Sequence, residues 1–375
     1  MKEGWTYKKL GEICDILNGF AFKSSTYVAD GIRVIRISNV QKGKVEDKDP
    51  KFFPSSSKGE IENYLLNEGD LLISLTGNVG RVGILLRELL PAALNQRVAC
   101  LRLKRDNIDK RYLFHFLNSD YFESICIKNS KGAAQLNMST VWLSNYAIPI
   151  PSLSEQQRIV ARLDSAFAHI DEVKANAEKQ LRNAQALFQK ALTKAMEPKE
   201  GWVSMKLGDF AYMKAGDFVK ASDIYQDYTE GLYPCYGGNG LRGYVKEPNQ
   251  EGDFCLIGRQ GALCGCVNRA KGIFRTTEHA VIVKPYQEIP TSLVYYLLKH
   301  LNLNKYATGA AQPGLSVKNI AEQVIITVPP LSEQQRIVAR LDSLSAHVRE
   351  LEEIQKKIIA ECDALKQALL RKVFE

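Results

Sequence analysis

The stretch LSEQQRIVARLDS fills residues 153–165, and the same thirteen letters return at residues 331–343. Each copy follows a proline (Pro151, Pro330) and opens a long tract of helical pattern. The first tract closes LFQKALTKAME at Glu197 and the second closes LKQALLRKVFE at Glu375. Leu187, Leu192 and Glu197 fall on Leu365, Leu370 and Glu375 at the same offset of 178 residues. Thirteen identical letters in register mark a tandem duplication, so the chain is organised around two matched helices.

The spacing inside those tracts is that of a coiled coil. In the first, Ile159, Leu163, Ala166, Ile170, Val173 and Ala177 alternate steps of four and three. A four-residue stutter then leads to Leu181, Ala184, Phe188, Ala191 and Ala195. In the second, Ile337, Leu341, Leu344, Val348, Leu351, Ile359, Cys362, Leu369 and Val373 hold a similar stripe. A 3.5-residue repeat asks for a partner helix along its whole length. The expected pairing residues are Ile159, Leu163, Ile170, Val173, Leu181, Ile337, Leu341, Val348, Leu351 and Ile359. Ser154 and Ser332 are placed to cap the helices, with acidic residues in the first turn and Gly201 after the first helix. At ~1.5 Å per residue, a tract of this length makes a rod of roughly 65 Å. Val160, Phe167, Leu187 and Leu192 lie off the seam and leave apolar surface for further helices. The simplest arrangement pairs the two tracts antiparallel about a pseudo-twofold axis, with the start of the chain near the end of the second helix.

Each tract is preceded by a globular stretch with a shared opening, GWTYKKLGEI from Gly4 and GWVSMKLGDF from Gly201. The two stretches then diverge while keeping their punctuation. GDLLISLTGNVGRVGIL from Gly69 and GDFCLIGRQGALCGCV from Gly252 each read as strand, Gly-rich turn and strand. ALNQRVACLRL from Ala93 and TTEHAVIVKP from Thr276 are β-rich runs leading to short helices, Arg111 to Ser119 and Thr291 to Leu301. KGAAQLNMS from Lys131 matches TGAAQPGLS from Thr308. The segments Asn18 to Glu62 and Lys214 to Gln250 differ most. One fold thereby presents two different surfaces.

Composition narrows the partners. Apolar residues make up 45% and charged residues 25%, as in globular proteins generally. Met1 to Asp15 has no apolar core of a signal segment and no run is long and apolar enough to span a bilayer, so a cytoplasmic protein without membrane contact is expected. The eight cysteines form no CxxC pair, which suits a reducing compartment. Cys255, Cys264, Cys266 and His279 are the only zinc set worth weighing. Alternation of the middle cysteines with Leu263, Gly265 and Val267 reads better as a strand of small residues, and no metal is expected. Net charge is +8, and up to Leu153 there are 21 Lys and Arg against 16 Asp and Glu, an excess of 5. An excess of this size suits a polyanion.

Several of these stretches together resemble the specificity subunit of type I restriction–modification systems. They are NGFAFKSS at Asn18, GIRVIRISNV at Gly31, GDLLISLTGNVG at Gly69, LNQRVACLRL at Leu94, GAAQ at Gly132 and IPIPSLSEQQRIV at Ile148. The second half adds YPCYGGNGLRGYV at Tyr233, GDFCLIGRQG at Gly252 and PPLSEQQRIV at Pro329. The resemblance covers nearly the whole chain. It implies an α+β architecture of two α/β target recognition domains (residues 1–152 and 198–330) separated by two long helices (153–197 and 331–375) in an antiparallel coiled coil. It further implies that the domains read the two halves of a bipartite double-stranded DNA target. The helices would set the spacer and dock two modification subunits that methylate adenine, and a restriction or translocase subunit joins them. Such a subunit has no catalysis and no cofactor of its own.

The residues themselves carry no competing chemistry. There is no Asp/Asn-Pro-Pro-aromatic tetrad, no GxGxxG after a strand and no Walker lysine. TGNVGRVG at Thr76 joins two strands with the wrong glycine spacing for a phosphate loop. His169 and His347 lie on the helical tracts as solvent or packing side chains. A coiled-coil scaffold joining two protein-binding domains is the other reading, separated from the first by its lack of a steep salt dependence. A major-groove reader delivers Arg or Lys to guanine and Asn or Gln to adenine from loops. The candidates in the first half are Lys23, Arg33, Arg36, Asn39, Asn78, Arg81, Asn95, Gln96 and Arg97. In the second half they are Asn239, Arg242, Lys246, Arg259, Gln260 and His279, with Tyr236 and Tyr244 in support. Lys42, Lys44, Lys48 and Lys51 are expected to be a solvated run that at most touches phosphate. GAAQ, shared by both halves, is expected to serve turn structure.

Overall fold

The computed structural model describes residues 4–104, 107–132, 135–261, 263–309 and 313–375. It forms two compact units, one of Met1–Glu178 with Lys357–Glu375 and one of Lys179–Lys356. The dividing points fall inside the two long helices, Leu153–Ala195 and Leu331–Phe374. Each helix therefore contributes one part to either core. No helix among the described residues is long and apolar enough to cross a membrane.

In the first unit, Thr6–Lys9 pairs antiparallel with Ala147–Ile150, the strand that runs into the helix. An antiparallel sheet follows in the order Cys14–Asn18, Val98–Leu103, Leu71–Ser74, Val82–Ile84. Both of its faces are buried, which is why Leu71–Ser74 (LLIS) is apolar without alternation. Leu71 and Ile73 pack with Tyr112, Leu113 and Phe116 of helix Lys110–Leu117, and with Ile159, Leu163, Leu370 and Phe374 of the long helices. Leu72 faces a second cluster with Ile35, Leu94 and Cys100. Trp5 and Phe374 both lie edge-on to Tyr112, so the start of the chain and the end of the second helix pack on the same short helix.

The second unit repeats this plan. Val203–Lys206 pairs with Ile325–Val328. The sheet runs Ala211–Ala215, Ala280–Pro285, Gln250–Gly258, Val267–Thr276, the same order as in the first unit. Beyond that edge the units share one more step. Ile32–Ile35 lies parallel to Ala92–Leu94, and Tyr233–Gly237 lies parallel to the end of Val267–Thr276. In the second unit a hairpin partner, Gly240–Val245, extends the sheet to six strands. In the first, Phe52–Phe53 pairs on the other side of Ile32–Ile35.

Where the long helices pair, the first part of one meets the last part of the other in each unit. Near the sheets two rows of side chains are buried, Ile159 and Leu163 with Leu370 and Phe374, or Phe188 and Leu192 with Ile337 and Leu341. Between them the buried positions thin to one per seven residues: Ile170, Ala177 and Ala184 on one helix, Val348, Gln355 and Cys362 on the other. Two helices alone enclose a single row, and the second row of the heptad flanks it. Val173 and Leu351, expected in the seam, are accordingly 51% and 45% exposed. Leu181 and Ile359 are half-buried. Of the off-seam apolar residues, Leu192 is fully buried and Val160 and Phe167 pack on the first core, which leaves Leu187 exposed. The expected caps also move. Both helices start two residues earlier than those caps require, and Ser152 Oγ accepts from Glu155 N–H at 3.3 Å in place of Ser154. In the second copy Pro330 stands before the first turn in place of Ser332, and its carbonyl accepts from Glu333 N–H at 2.9 Å.

The repeat fastens each unit to its helix. Gln156 Nε2 donates to Pro151 O at 2.9 Å, and Gln334 Nε2 donates to Pro329 O at 3.0 Å. About two helical turns further on, Asp164 accepts from His115 Nε2 (2.7 Å) and Arg111 (2.6 Å), while Asp342 accepts from the Tyr296 hydroxyl (2.6 Å).

Candidate nucleic-acid interface

At one end of each sheet, two chain segments cross at van der Waals limits. In the first unit Phe20 bridges Asn95 in parallel, with Phe20 N–H donating to Leu94 O and Gln96 N–H to Phe20 O. A Cβ on Gly19 would sit 2.2 Å from the Asn95 carbonyl, so only glycine fits. Asn95 N–H reaches Ile35 O at 3.1 Å and Leu75 N–H reaches Arg97 O at 2.9 Å. Segments 18–23, 35–39, 75–81 and 94–97 thereby converge. The second unit does the same with Asp217 and Thr277. There a Cβ on Gly216 would lie 2.1 Å from Thr276 O, and Arg259 N–H reaches His279 O at 3.0 Å.

In the first unit this end holds Lys23, Asn78, Gln96 and Arg97 exposed, without a side-chain hydrogen bond or ion pair among the described residues. Asn95 is buried, and its Oδ1 accepts from Arg97 N–H at 3.2 Å. Arg33 and Arg36 lie on the same stretch but are engaged. Arg33 pairs with Asp47 and stacks 4.9 Å over Phe52, and Arg36 pairs with Asp49. Lys51 and Arg36 together hold the Asp49 carboxyl below its usual range. Arg81 donates to Gln41 Oε1 at 2.8 Å. Asn39 is a correction. It is 4% exposed, donates to Glu46 O and Lys48 O, and accepts from Arg36 N–H, so both its amide protons are spent closing the loop and burial shuts the group off from a base. The lysine run is likewise not simply solvated. Lys42 pairs with Asp120 and Glu123, Lys44 with Glu46 and Lys51 with Asp49.

In the second unit, Asn239 is exposed in the turn before Gly240–Val245, and Arg242 and Lys246 are exposed on that strand and just after it. Lys246 Nζ stands 6.0 Å over the Tyr225 ring, and Tyr228 meets Tyr244 edge-on. Gln260 is exposed, with Arg259 and His279 half-buried. His279 Nε2 lies 3.1 Å from Glu278 Oε1. Arg259 Nε, Thr277 Oγ1, Glu278 Oε2 and His279 Nδ1 are enclosed without a hydrogen-bond partner among the described residues. Unpaired polar atoms each cost about 1–3 kcal/mol, so their concentration at this end is unusual for a purely structural turn.

Sequence reasoning missed Lys220, Thr277 and Glu278. The signal for Lys220 was present: Gly19, Lys23 and Ser25 match Gly216, Lys220 and Ser222 at the same offset, 197, as the opening GW pair. The supposedly divergent segments thus begin alike. The candidate zinc residues separate, with Cys266 Sγ donating to Gly238 O at 2.8 Å and Cys255 Sγ to Thr291 O at 3.6 Å. Of the GAAQ stretches, residues 133–134 and 310–312 lie outside the described residues. Beside them Lys131 bridges Asn137 and Thr308 bridges Gly314, and Gly77 N–H and Gly261 N–H bond to Leu136 O and Pro313 O.

This duplicated arrangement has relatives. A family model described as the type I restriction modification DNA specificity domain matches residues 2–183 and again 199–361. The type I restriction enzyme EcoprrI specificity subunit of Escherichia coli is 34% identical over 306 residues, 78% of this chain and 75% of that protein. The EcoBI specificity subunit of Escherichia coli is 26% identical over 423 residues, 99% of this chain and 86% of that protein. In fold, the chain is similar to one from a solved structure concerned with assembly and conformational transition of the type I R-M system. The TM-score is 0.72 at 22% identity, covering 100% of this chain and 98% of that one. The chain belongs to the type I restriction–modification DNA specificity family, with one copy of the family's domain in each half.

Proposed function

We propose that this chain is the non-catalytic specificity subunit of a cytoplasmic type I restriction–modification complex. Target recognition domains at residues 1–152 and 198–330 each read one half of a bipartite DNA sequence. The helices at 153–197 and 331–375 set the unspecified spacer and dock two modification subunits, and restriction subunits join that core. One observation carries the reading: the same sheet framework occurs twice and ends in loops of different chemistry. Arg33, Arg36, Arg81, Asn78 and Gln96 are the proposed base readers in one unit, and Asn239, Arg242, Lys246, Arg259 and Gln260 in the other.

A genome-wide map of N6-methyladenine tests this, with the chain expressed beside its modification subunit in a host lacking that methylation. The expected result is a single split motif, two short specific blocks around a fixed gap. A continuous short motif would overturn the two-reader model. No methylation from a co-purifying complex would favour a protein scaffold.

A further inference from the structure

Resting on that reading, we propose that each unit carries a matched clamp for the DNA phosphate backbone, Lys23 with Arg97 in the first and Lys220 with His279 in the second. The two pairs occupy equivalent places in the fold. Lys23 and Lys220 stand immediately before three-residue helical turns, Ser24–Thr26 and Ala221–Asp223. Arg97 and His279 each stand immediately before the strand that crosses the sheet, Val98–Leu103 or Ala280–Pro285. The parallel bridges Phe20 to Asn95 and Asp217 to Thr277 hold each lysine segment against its partner turn in the same register.

Chemistry is kept at these four positions while the neighbouring loops change. Lysine stays lysine, and a guanidinium is replaced by an imidazole, also a nitrogen donor. Around them, Val40–Val45 forms a small separate hairpin, whereas Tyr233–Val245 extends the main sheet. A side chain that tells two different half-sites apart has to differ between the units. One that meets what both halves share is free to stay the same, and the shared part of any duplex is its phosphodiester backbone. Availability separates the groups further. Lys23, Lys220 and Arg97 are exposed and make no side-chain hydrogen bond or ion pair among the described residues, whereas His279 is half-buried, with Nε2 3.1 Å from Glu278 Oε1 and Nδ1 enclosed without a partner. Arg33 and Arg36, by contrast with those first three, are already held by carboxylates. Lys23, Arg97 and His279 are thereby reassigned from base reading to backbone positioning, and Lys220 joins them.

The test uses the full chain assembled with its modification subunit and follows binding to the methylated-motif duplex and to an unrelated duplex from low to high salt. Lys23→Gln, Lys220→Gln and Arg97→Gln should each lower the slope of log K against log salt by about 1. Each should weaken both duplexes by a similar factor, on the order of threefold to tenfold, and leave the methylated motif unchanged. Lys23→Arg and Lys220→Arg keep the charge and should restore the slope, which separates a lost contact from a misfolded unit. A motif that relaxes at a base position in any of these variants, or slopes equal to that of the unaltered complex, would overturn the clamp. A parent complex that yields no split motif would instead sink the specificity reading beneath it.

Discussion

Asp164 and Asp342 are the same letter of the same thirteen-residue repeat, yet they receive different donors. In the first unit the carboxylate meets an imidazole and a guanidinium, and in the second a phenol. Gln156 and Gln334 differ similarly. Both close the turn onto a proline carbonyl, but Gln156 Oε1 also accepts from Asp109 N–H at 2.8 Å, while Gln334 Oε1 is buried without a partner. At the place before the short helix of each unit stands Asp109 in one and Pro290, which has no N–H to offer, in the other. The repeat supplies a fixed set of acceptors, and each domain answers with what it has. Identical sequence therefore buys equivalent position, and the energetics are settled by the partner.

The largest test of that equivalence is in the shared apolar positions. Leu163 and Leu341 sit at matching places in the repeat, 3% and 0% exposed. Replacing either by Ala should cost about 2–5 kcal/mol, since each leaves a cavity between sheet, short helix and long helix. Hydrogen exchange reads each unit separately, through Val98–Leu103 for Leu163→Ala and Gln250–Gly258 for Leu341→Ala. Comparable losses of protection are expected, each confined to its own unit. Unequal losses would show that matched burial does not carry matched energy.

The carboxylate joints should differ in their response to pH. His115 is buried, and desolvation holds its pKa below 6.5 against the opposing pull of Asp164. Burial raises the Asp164 carboxyl, but hydrogen bonds from Arg111 and His115 outweigh it and leave the net shift downward. A buried neutral histidine binds its proton more weakly folded than unfolded, so its contribution is complete above the unfolded value and is lost as pH falls through the folded one. Burial pushes the Tyr296 hydroxyl up, away from this range. The His115–Asp164 joint should therefore lose stability between pH 7 and 5 while the Tyr296–Asp342 joint holds, although burial also lowers the pKa of His300 and gives the second unit a response of its own away from its joint. His115→Tyr should reduce the response of the first unit, and Tyr296→His should add to that of the second. Asp164→Asn or Asp342→Asn should cost roughly 1 kcal/mol at pH 7, because both carboxylates are partly solvated. A His115→Tyr protein with the pH profile of the unaltered one would break the comparison.

Duplication, helix pairing and the α+β framework were legible because each is written in period or repetition. Thirteen matching letters fix equivalent backbones, and Ile159, Leu163, Ile337 and Leu341 are buried as their spacing requires. The heptad did not reveal how much cover each position would receive, which depends on the number of neighbouring helices. Val173 and Leu351 are exposed for that reason. The site was less legible still. Asn39 has the residue type of a base reader, but its hydrogen bonds close onto residues up to 9 positions away across a loop of irregular length. No periodicity encodes such contacts. Lys220 could have been found from the 197-residue offset, whereas Thr277 and Glu278 needed the bridge to Asp217 to place them.

The finest test exchanges the two residues before the short helices. Asp109 has φ −72° and ψ 122°, and Pro290 has φ −54° and ψ 128°, so either residue suits either place. Asp109→Pro removes a cap that accepts from Arg111 and Tyr112 N–H, worth about 1 kcal/mol. It also strands Gln156 Oε1, for roughly another 1–3 kcal/mol, against a gain of about 0.4–1 kcal/mol from a stiffer unfolded chain. Pro290→Asp reverses each term. The new N–H gives Gln334 Oε1 a donor and the new carboxylate caps helix Thr291–His300, while the stiffening by proline is lost. The expected gain is of the same order as the loss at Asp109, about 1–3 kcal/mol, because the group at stake is a Gln Oε1 acceptor in both units. Chemical denaturation with exchange read at Ala280–Pro285 measures it. A destabilised Pro290→Asp protein would mean that Gln334 Oε1 is not waiting for this donor, and that the two junctions differ in more than one N–H.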